Sequence, residues 1–299
     1  MMSETGSDKI KKAVIPIAGN GTRMFPETFF IKKVMLPIVS SDGIVKPALL
    51  YMLEELEECG IEDIYLIVGD GETEEYERLF RFEYNDSYEK RLPERVRGYY
   101  RRIHDLGKRL HFVVQKEKKG FGHAVYQARE YLEGEATVLL LGDFLYRSNN
   151  GVSCTQQTID AYGLSGGKAV VGIREISVGA SANYGVLHGV FRNDGSRILD
   201  ADAMVEKPGE EYSRRNLLID GKCYATFGSY VLTDDIFEYV GKQIEEKDRS
   251  GDPEETDLTS AFMNAATLGQ LVGARIEGES FDVGLPDMYY KTFTEFGRK

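Results

Sequence analysis

The chain has 299 residues, 42% hydrophobic and 29% charged, which is enough for a large buried core in one α/β domain or two smaller ones. A formal net charge of −12 argues against a general nucleic-acid binder, which needs a basic face to release counterions. Cys59, Cys154 and Cys223 are odd in number and far apart, and residues 1–9 are polar; this argues against a disulfide frame, a zinc site or a signal peptide, so the cytoplasm is the expected location.

Residues 13–18, Ala-Val-Ile-Pro-Ile-Ala, form an apolar run of strand length, too short to span a membrane. Gly19, Asn20, Gly21, Thr22 and Arg23 follow. Two glycines one residue apart allow a sharp turn and leave no Cβ between backbone N–H groups and an anion, while Arg23 adds a phosphate-matching fork. Gly-x-Gly alone is common after strands. It is not a dinucleotide fingerprint, since Met24 replaces the third glycine, and no P-loop occurs in the chain. With Lys32 and Lys33 close behind in an acidic protein, the stretch reads as a polyphosphate cradle.

Lys46-Pro47 precedes a helix with Leu49, Leu50, Leu53 and Leu56 at helical spacing, ended by Gly60. Residues 64–68 form a second strand, and strand–helix–strand implies a parallel pair with a right-handed crossover. In such sheets ligands sit beyond the carboxyl ends of the strands, where the Gly19 turn falls. Residues 72–109 are rich in charge, Tyr and Arg. The mixing could suggest nucleic acid, but the many Glu residues favour one or two surface helices. Residues 111–114 form a third strand, followed by a helix over 123–132 that His123 caps or packs. Residues 136–141 form a fourth strand ending at Asp143, either a loop cap or a carboxylate placed to hold a hard cation. Residues 168–173 and 223–232 are strands; Thr233 or Asp234 caps a helix through Tyr239. Residues 255–259 open another helix, and 285–296 form a last one rich in Tyr and Phe.

Gly19-x-Gly21-Thr22-Arg23-x-x-Pro26, followed by Lys33-x-Met35-Leu36-Pro37, resembles the signature of the sugar-1-phosphate nucleotidylyltransferases, and is most similar to the bacterial UTP–glucose-1-phosphate uridylyltransferases (UDP-glucose pyrophosphorylases). The matching segments run in order from residue 13 to about 290. The resemblance implies a Rossmann-like nucleotide-diphospho-sugar transferase fold, α/β, with a central, mostly parallel mixed sheet flanked by helices. It implies one catalytic domain over 1–299, with a nucleotide-binding half at about 10–150 and a sugar-phosphate half with a C-terminal helix at about 151–299. Carried over residue by residue, the nucleotide is held by Ala18, Gly19, Gly21, Thr22, Arg23, Gln115, Gly120 and Asp143, with Gln115 and Gly120 on the pyrimidine edge. Gly185, Glu206, Lys207 and Thr226 face the sugar phosphate, and Asp143 and Asp282 hold Mg²⁺. Arg23 and Lys33 are the expected catalytic cations.

The implied reaction brings two anions together by in-line attack on the α-phosphorus of a nucleoside triphosphate, so positioning and positive charge should carry catalysis. Its partners are small molecules, with no nucleic acid or membrane, and a homo-oligomer (dimer or tetramer) is left open. The chain departs from the uridylyl pattern at Phe29, Lys32 and Val34, where that pattern has Lys, Pro and Glu, and residues 40–45 widen a turn expected beside the site. Three alternatives stand beside this reading: a thymidylyl- or cytidylyltransferase on this or another hexose-1-phosphate, a non-catalytic sugar-nucleotide sensor, and a plain binding module.

Overall fold

A computed structural model describes residues 9–193 and 195–298; the polar start read above as no signal peptide lies, apart from Lys9, outside the described residues. Among the described residues the strands are β1 (Lys12–Pro16), β2 (Pro37–Val39), β3 (Val45–Pro47), β4 (Asp63–Gly69), β5 (Leu110–Gln115), β6 (Thr137–Leu140), β7 (Phe144–Ser148), β8 (Ala169–Ile176), β9 (Gly185–Phe191), β10 (Ile198–Glu206), β11 (Cys223–Leu232), β12 (Leu271–Arg275) and β13 (Gly278–Asp282). Nine of them form one sheet in the order β5-β4-β1-β6-β11-β8-β12-β10-β9. The first four are mutually parallel, with β1 pairing both β4 and β6. Beyond β6 the sheet becomes mixed: β11 runs antiparallel to β6 and β8, β12 is parallel to β8, and β9 and β10 form an antiparallel pair.

The central strands are buried on both faces, which explains why they read as continuous apolar runs rather than alternating ones. Alternate residues of β1 still go opposite ways: Ala13 and Ile15 join one core, Val14 the other. The first core is covered by the helix Ala48–Glu58, which buries Leu49, Met52, Leu53 and Leu56 along one stripe. The helices Phe121–Tyr126, Arg129–Leu132, Asp234–Ser250 and Thr259–Thr267 cover the second. Each such buried leucine contributes about 1.5–3 kcal/mol of transfer free energy. No helix among the described residues is long and apolar enough to cross a membrane.

Several boundaries differ from those expected. Residues 72–109 give three helices, Thr73–Phe80, Asp86–Glu89 and Glu94–Gly107. Most of their arginines are engaged within the protein, and Arg102 reaches Glu57 at 2.6 Å, Glu54 at 3.1 Å and Glu58 at 3.3 Å. The helix expected over 123–132 is broken after Tyr126, where hydrogen bonds tighten to three-residue spacing. The helix after Thr233 runs far past Tyr239 to Ser250. Thr233 occupies its N-cap position without a side-chain cap bond, while Asp234 accepts from the Gly134 N–H instead. Residues 255–258 stay outside the next helix. Thr256 donates its N–H to Lys119 and accepts from Gly122, so this segment runs along the glycine-bearing turn, and Asp257 then caps the helix by accepting from Ser260. Residues 40–44 close the β2–β3 hairpin, secured by Ser40 and by Arg95 on the Gly43 carbonyl.

One buried acid beneath this scaffold makes a testable contribution to stability. Glu55 accepts a hydrogen bond from the Thr155 N–H at 3.0 Å, and burial pushes its carboxyl up to about 7. Between its unfolded and folded pKa values the folded protein holds a proton that the unfolded chain has lost, so stability falls as pH rises through that window and the deficit is complete above it. The residue keeps some solvent contact, which reduces the effect to about 1–3 kcal/mol. Glu55→Gln is therefore expected to raise the urea midpoint at pH 8 and leave it unchanged at pH 4. Equal midpoints for the two proteins at pH 8 would contradict this.

Candidate active site

The parallel strands β1, β5 and β6 all end at one cavity of about 500 Å³. Strand β1 delivers Ala18, Gly19, Thr22 and Arg23 to its lining. Gly21 is not in the lining; it shapes the turn, with φ of 62° and its carbonyl accepting from the Thr28 hydroxyl at 2.9 Å. Strand β5 delivers Gln115 and then Gly120, and β6 delivers Asp143. A Cβ on Gly142 would lie 2.3 Å from the Pro16 carbonyl oxygen, so only glycine lets the chain carrying Asp143 lie this close to the end of β1.

Lys33 reaches into this space and its Nζ lies 2.8 Å from the Asp143 Oδ2. Asp282 arrives from the other end of the chain through a two-stranded ladder, β7 with β13, in which Asp282 lies opposite Phe144. The Val283 N–H donates to the Asp143 carbonyl at 2.8 Å and locks the two segments together. A Cβ on Gly284 would sit 2.8 Å from the Asp143 Oδ2 and 3.0 Å from the Asp282 Oδ1, so both carboxylates converge on the space that glycine leaves open. Burial raises the Asp282 carboxyl pKa. The Gly284 N–H bond opposes this and the Asp143 charge adds to it, while Lys33 and Arg23 lie near enough to pull it back. Among the described residues no group of three or more Cys, His, Asp and Glu side chains is arranged to hold a metal. Two hard oxygen donors beside a glycine turn and two cations fit a small hard cation such as Mg²⁺, which Asp143 and Asp282 would hold and which would supply positive charge to a bound phosphate.

The expected sugar-side residues form a neighbouring cluster that does not line the cavity. Gly185 opens β9 and Glu206 ends β10, directly opposite each other in register. Thr226 on β11 completes the group, its methyl 3.3 Å and a Glu206 oxygen 3.1 Å from where a Gly185 Cβ would stand. Lys207 adopts a left-handed backbone (φ 46°), with its Nζ 3.3 Å from Glu206. Burial pushes the Tyr230 phenol up, and the charges of Glu206 and Asp143 add to the rise.

Two further cations line the cavity: Lys118, which the sequence alone did not assign to phosphate, and Lys32, expected as part of the cradle. Lys118 bonds to the Asn20 side chain, bridging the two glycine turns, and Lys32 pairs with Glu72, which is itself held by the Gly69 N–H at 2.9 Å. The basic run around residue 118 was a signal for the first. Lys32 stands at a departure from the family pattern, and nothing local foretold its partner. None of residues 38–47 lines the cavity, so the widened turn belongs to the β2–β3 hairpin rather than to the pocket wall.

A parallel sheet ending in a glycine turn, with cations on one side and paired carboxylates on the other, defines an α/β protein of the kind that binds phosphorylated ligands at the carboxyl ends of its strands. The chain belongs to the nucleotidyl transferase family, whose profile matches residues 12–298. It is 33% identical over 296 residues to UTP–glucose-1-phosphate uridylyltransferase 2 of Staphylococcus saprophyticus subsp. saprophyticus, covering 97% of this chain and 93% of that protein. The Staphylococcus epidermidis UTP–glucose-1-phosphate uridylyltransferase is 32% identical over 297 residues, again 97% of this chain and 93% of the relative. Among solved structures, an apo UDP-glucose pyrophosphorylase superposes with a TM-score of 0.80 at 27% identity, over 96% of this chain and 98% of that one. A UDP-glucose pyrophosphorylase in complex with UDP-glucose gives 0.76 at 26% identity, with the same coverage.

Proposed function

We propose that this enzyme transfers a uridylyl group from UTP to glucose-1-phosphate, giving UDP-glucose and pyrophosphate. The observation that carries the reading is the convergence of Arg23, Lys33 and Asp143 on one cavity that Gln115 also lines. Whole-length similarity to uridylyltransferases supports the choice of substrates.

A phosphate oxygen of glucose-1-phosphate attacks the α-phosphorus of UTP in line, and the bond to the β-phosphate breaks with pyrophosphate as leaving group. No covalent enzyme intermediate is required. The turn over Gly19, Gly21 and Thr22 offers backbone N–H groups to the triphosphate, Ala18, Gln115 and Gly120 seat the base, and Arg23 binds the phosphates that leave. Lys33 moves from Asp143 to the reacting phosphate oxygens and offsets the repulsion between the two substrates. Gly185, Glu206, Lys207 and Thr226 orient the sugar phosphate. Mg²⁺, when held by Asp143 and Asp282, supplies charge compensation between the phosphates.

The chain works as one catalytic domain, with the nucleotide on the parallel half of the sheet and the sugar phosphate on the mixed half. UTP is drawn from the cytoplasm, where we place the enzyme. The helix Pro286–Glu295, with Tyr290 72% exposed, is the surface assigned to a homodimer or tetramer; a monomeric mass in sedimentation would refute that assignment. The functional test is pyrophosphate release with glucose-1-phosphate and Mg²⁺, run in parallel with UTP, dTTP, CTP, ATP and GTP. Release with UTP well above the others is expected. Preference for dTTP or CTP would overturn the substrate, and no release from folded protein with any nucleotide would overturn the reaction.

A further inference from the structure

Gln115 is a buried polar side chain of the cavity, 4% exposed, and its orientation is fixed by its neighbours. Its Nε2 donates to the Gly120 carbonyl oxygen at 3.2 Å. A carbonyl can only accept, so the amide nitrogen must face Gly120 and the amide oxygen must face elsewhere. The same Nε2 lies 3.2 Å from the His123 Nδ1. A buried amide leaves no hydrogen unpaired at small cost, so the second one goes to His123, whose Nδ1 then carries a lone pair and whose Nε2 carries the proton. Both amide hydrogens are consumed on the protein, and the amide oxygen is left as the group offered to a ligand.

The other ring nitrogen is approached by a second amide, that of Gln127, which is only part-buried. Its hydrogen not bound to the protein turns to solvent, whereas the buried Gln115 amide has no such outlet, so the His123 lone pair goes to Gln115. The Gln127 Nε2 donates to the His123 carbonyl at 3.1 Å and lies 3.3 Å from the ring Nε2. Two amide nitrogens therefore flank the ring, an arrangement hostile to an imidazolium. Burial, with Lys119 adding to it, lowers the His123 pKa in the same direction.

We propose that His123 is a positioning residue: its Nδ1 accepts from Gln115 and holds the Gln115 carbonyl oxygen toward the cavity, where it selects a pyrimidine that offers N3–H, uracil or thymine, over cytosine. The chemistry of the bases makes the distinction. Uracil and thymine donate at N3, whereas cytosine presents a lone pair there, which would face the amide oxygen acceptor to acceptor. A site built around one buried hydrogen bond rejects the analogue that cannot make it, because both polar groups are left unpaired. The inference rests on the pyrimidine nucleotidyltransferase reading above and adds the residue that sets the base preference.

The test compares kcat/KM for UTP and for CTP in the wild-type enzyme, His123→Ala and His123→Asn, with glucose-1-phosphate and Mg²⁺. Each ratio is taken within one preparation, so the fraction of folded protein cancels. In His123→Ala the Gln115 amide loses one of its two restraints, and the UTP-to-CTP ratio is expected to fall about tenfold, the worth of one neutral hydrogen bond. The fall should come through the nucleotide KM, with the KM for glucose-1-phosphate unchanged. His123→Asn places an amide oxygen near the Nδ1 position and should keep the wild-type ratio. An unchanged ratio in His123→Ala, with brisk UTP turnover, would overturn the role of His123 and leave the uridylyl reading standing. A wild-type enzyme that prefers CTP, or uses neither nucleotide, would overturn both.

Discussion

Replacing Lys33 by alanine is expected to lower turnover by about 10²–10³, the usual size for loss of one preorganised electrostatic donor at a reacting group. Lys33 is placed for such a role because it shares the cavity with Arg23 and already holds a carboxylate, Asp143, at 2.8 Å. An ammonium that rests on Asp143 before substrate arrives has little distance to cover to a phosphate oxygen beside it. The side chain is only partly buried, so the fold should survive its removal. Steady-state pyrophosphate release gives kcat, and thermal unfolding checks the fold. Turnover within threefold of wild type would remove Lys33 from the chemistry. A loss confined to the UTP KM would make it a binding group instead.

A second large effect is expected from Gly284→Ala, one methyl group added two residues after Asp282. The new Cβ would meet the Asp143 Oδ2 at 2.8 Å, closer than real contacts of this kind allow, and the Asp282 Oδ1 at a tight 3.0 Å, so the Asp143 carboxylate must shift and that of Asp282 give slightly. Disturbing the groups that orient metal ligands costs about 10–100-fold in metal affinity or activity. Titrating activity with Mg²⁺ should therefore show a half-saturating concentration raised by that factor, with the UTP KM at saturating metal little changed. An unaltered Mg²⁺ titration would mean that Asp143 and Asp282 do not share a cation.

The parallel half of the sheet was largely legible in the sequence because its signals are local. The apolar run before Gly19, the turn glycines, and Asp143 at the end of an unbroken Val and Leu strand each carry their meaning within a few residues. The mixed half was not, because its order is set by distant pairings. Nothing near residues 223–232 says that this strand lies antiparallel between β6 and β8. Glu206 and Gly185 were linked only through the family resemblance, and their register opposite each other is a property of the β9–β10 pair. The helix Asp234–Ser250 was read too short because its last turns are charged and lose apolar periodicity; a left-handed Gly251 ends it. The partners of Lys32 and Lys118 are side-chain geometry and have no one-dimensional signature.

The β7–β13 ladder also fixes when the site can be finished. Asp143 and the glycine cradle belong to the first half of the chain, whereas Asp282 enters on the last strand before the final helix. As the polypeptide leaves the ribosome, the parallel strands that cradle phosphate emerge long before the second carboxylate does. The two carboxylates can meet only once β13 has been made, well after β6 and the glycine turn.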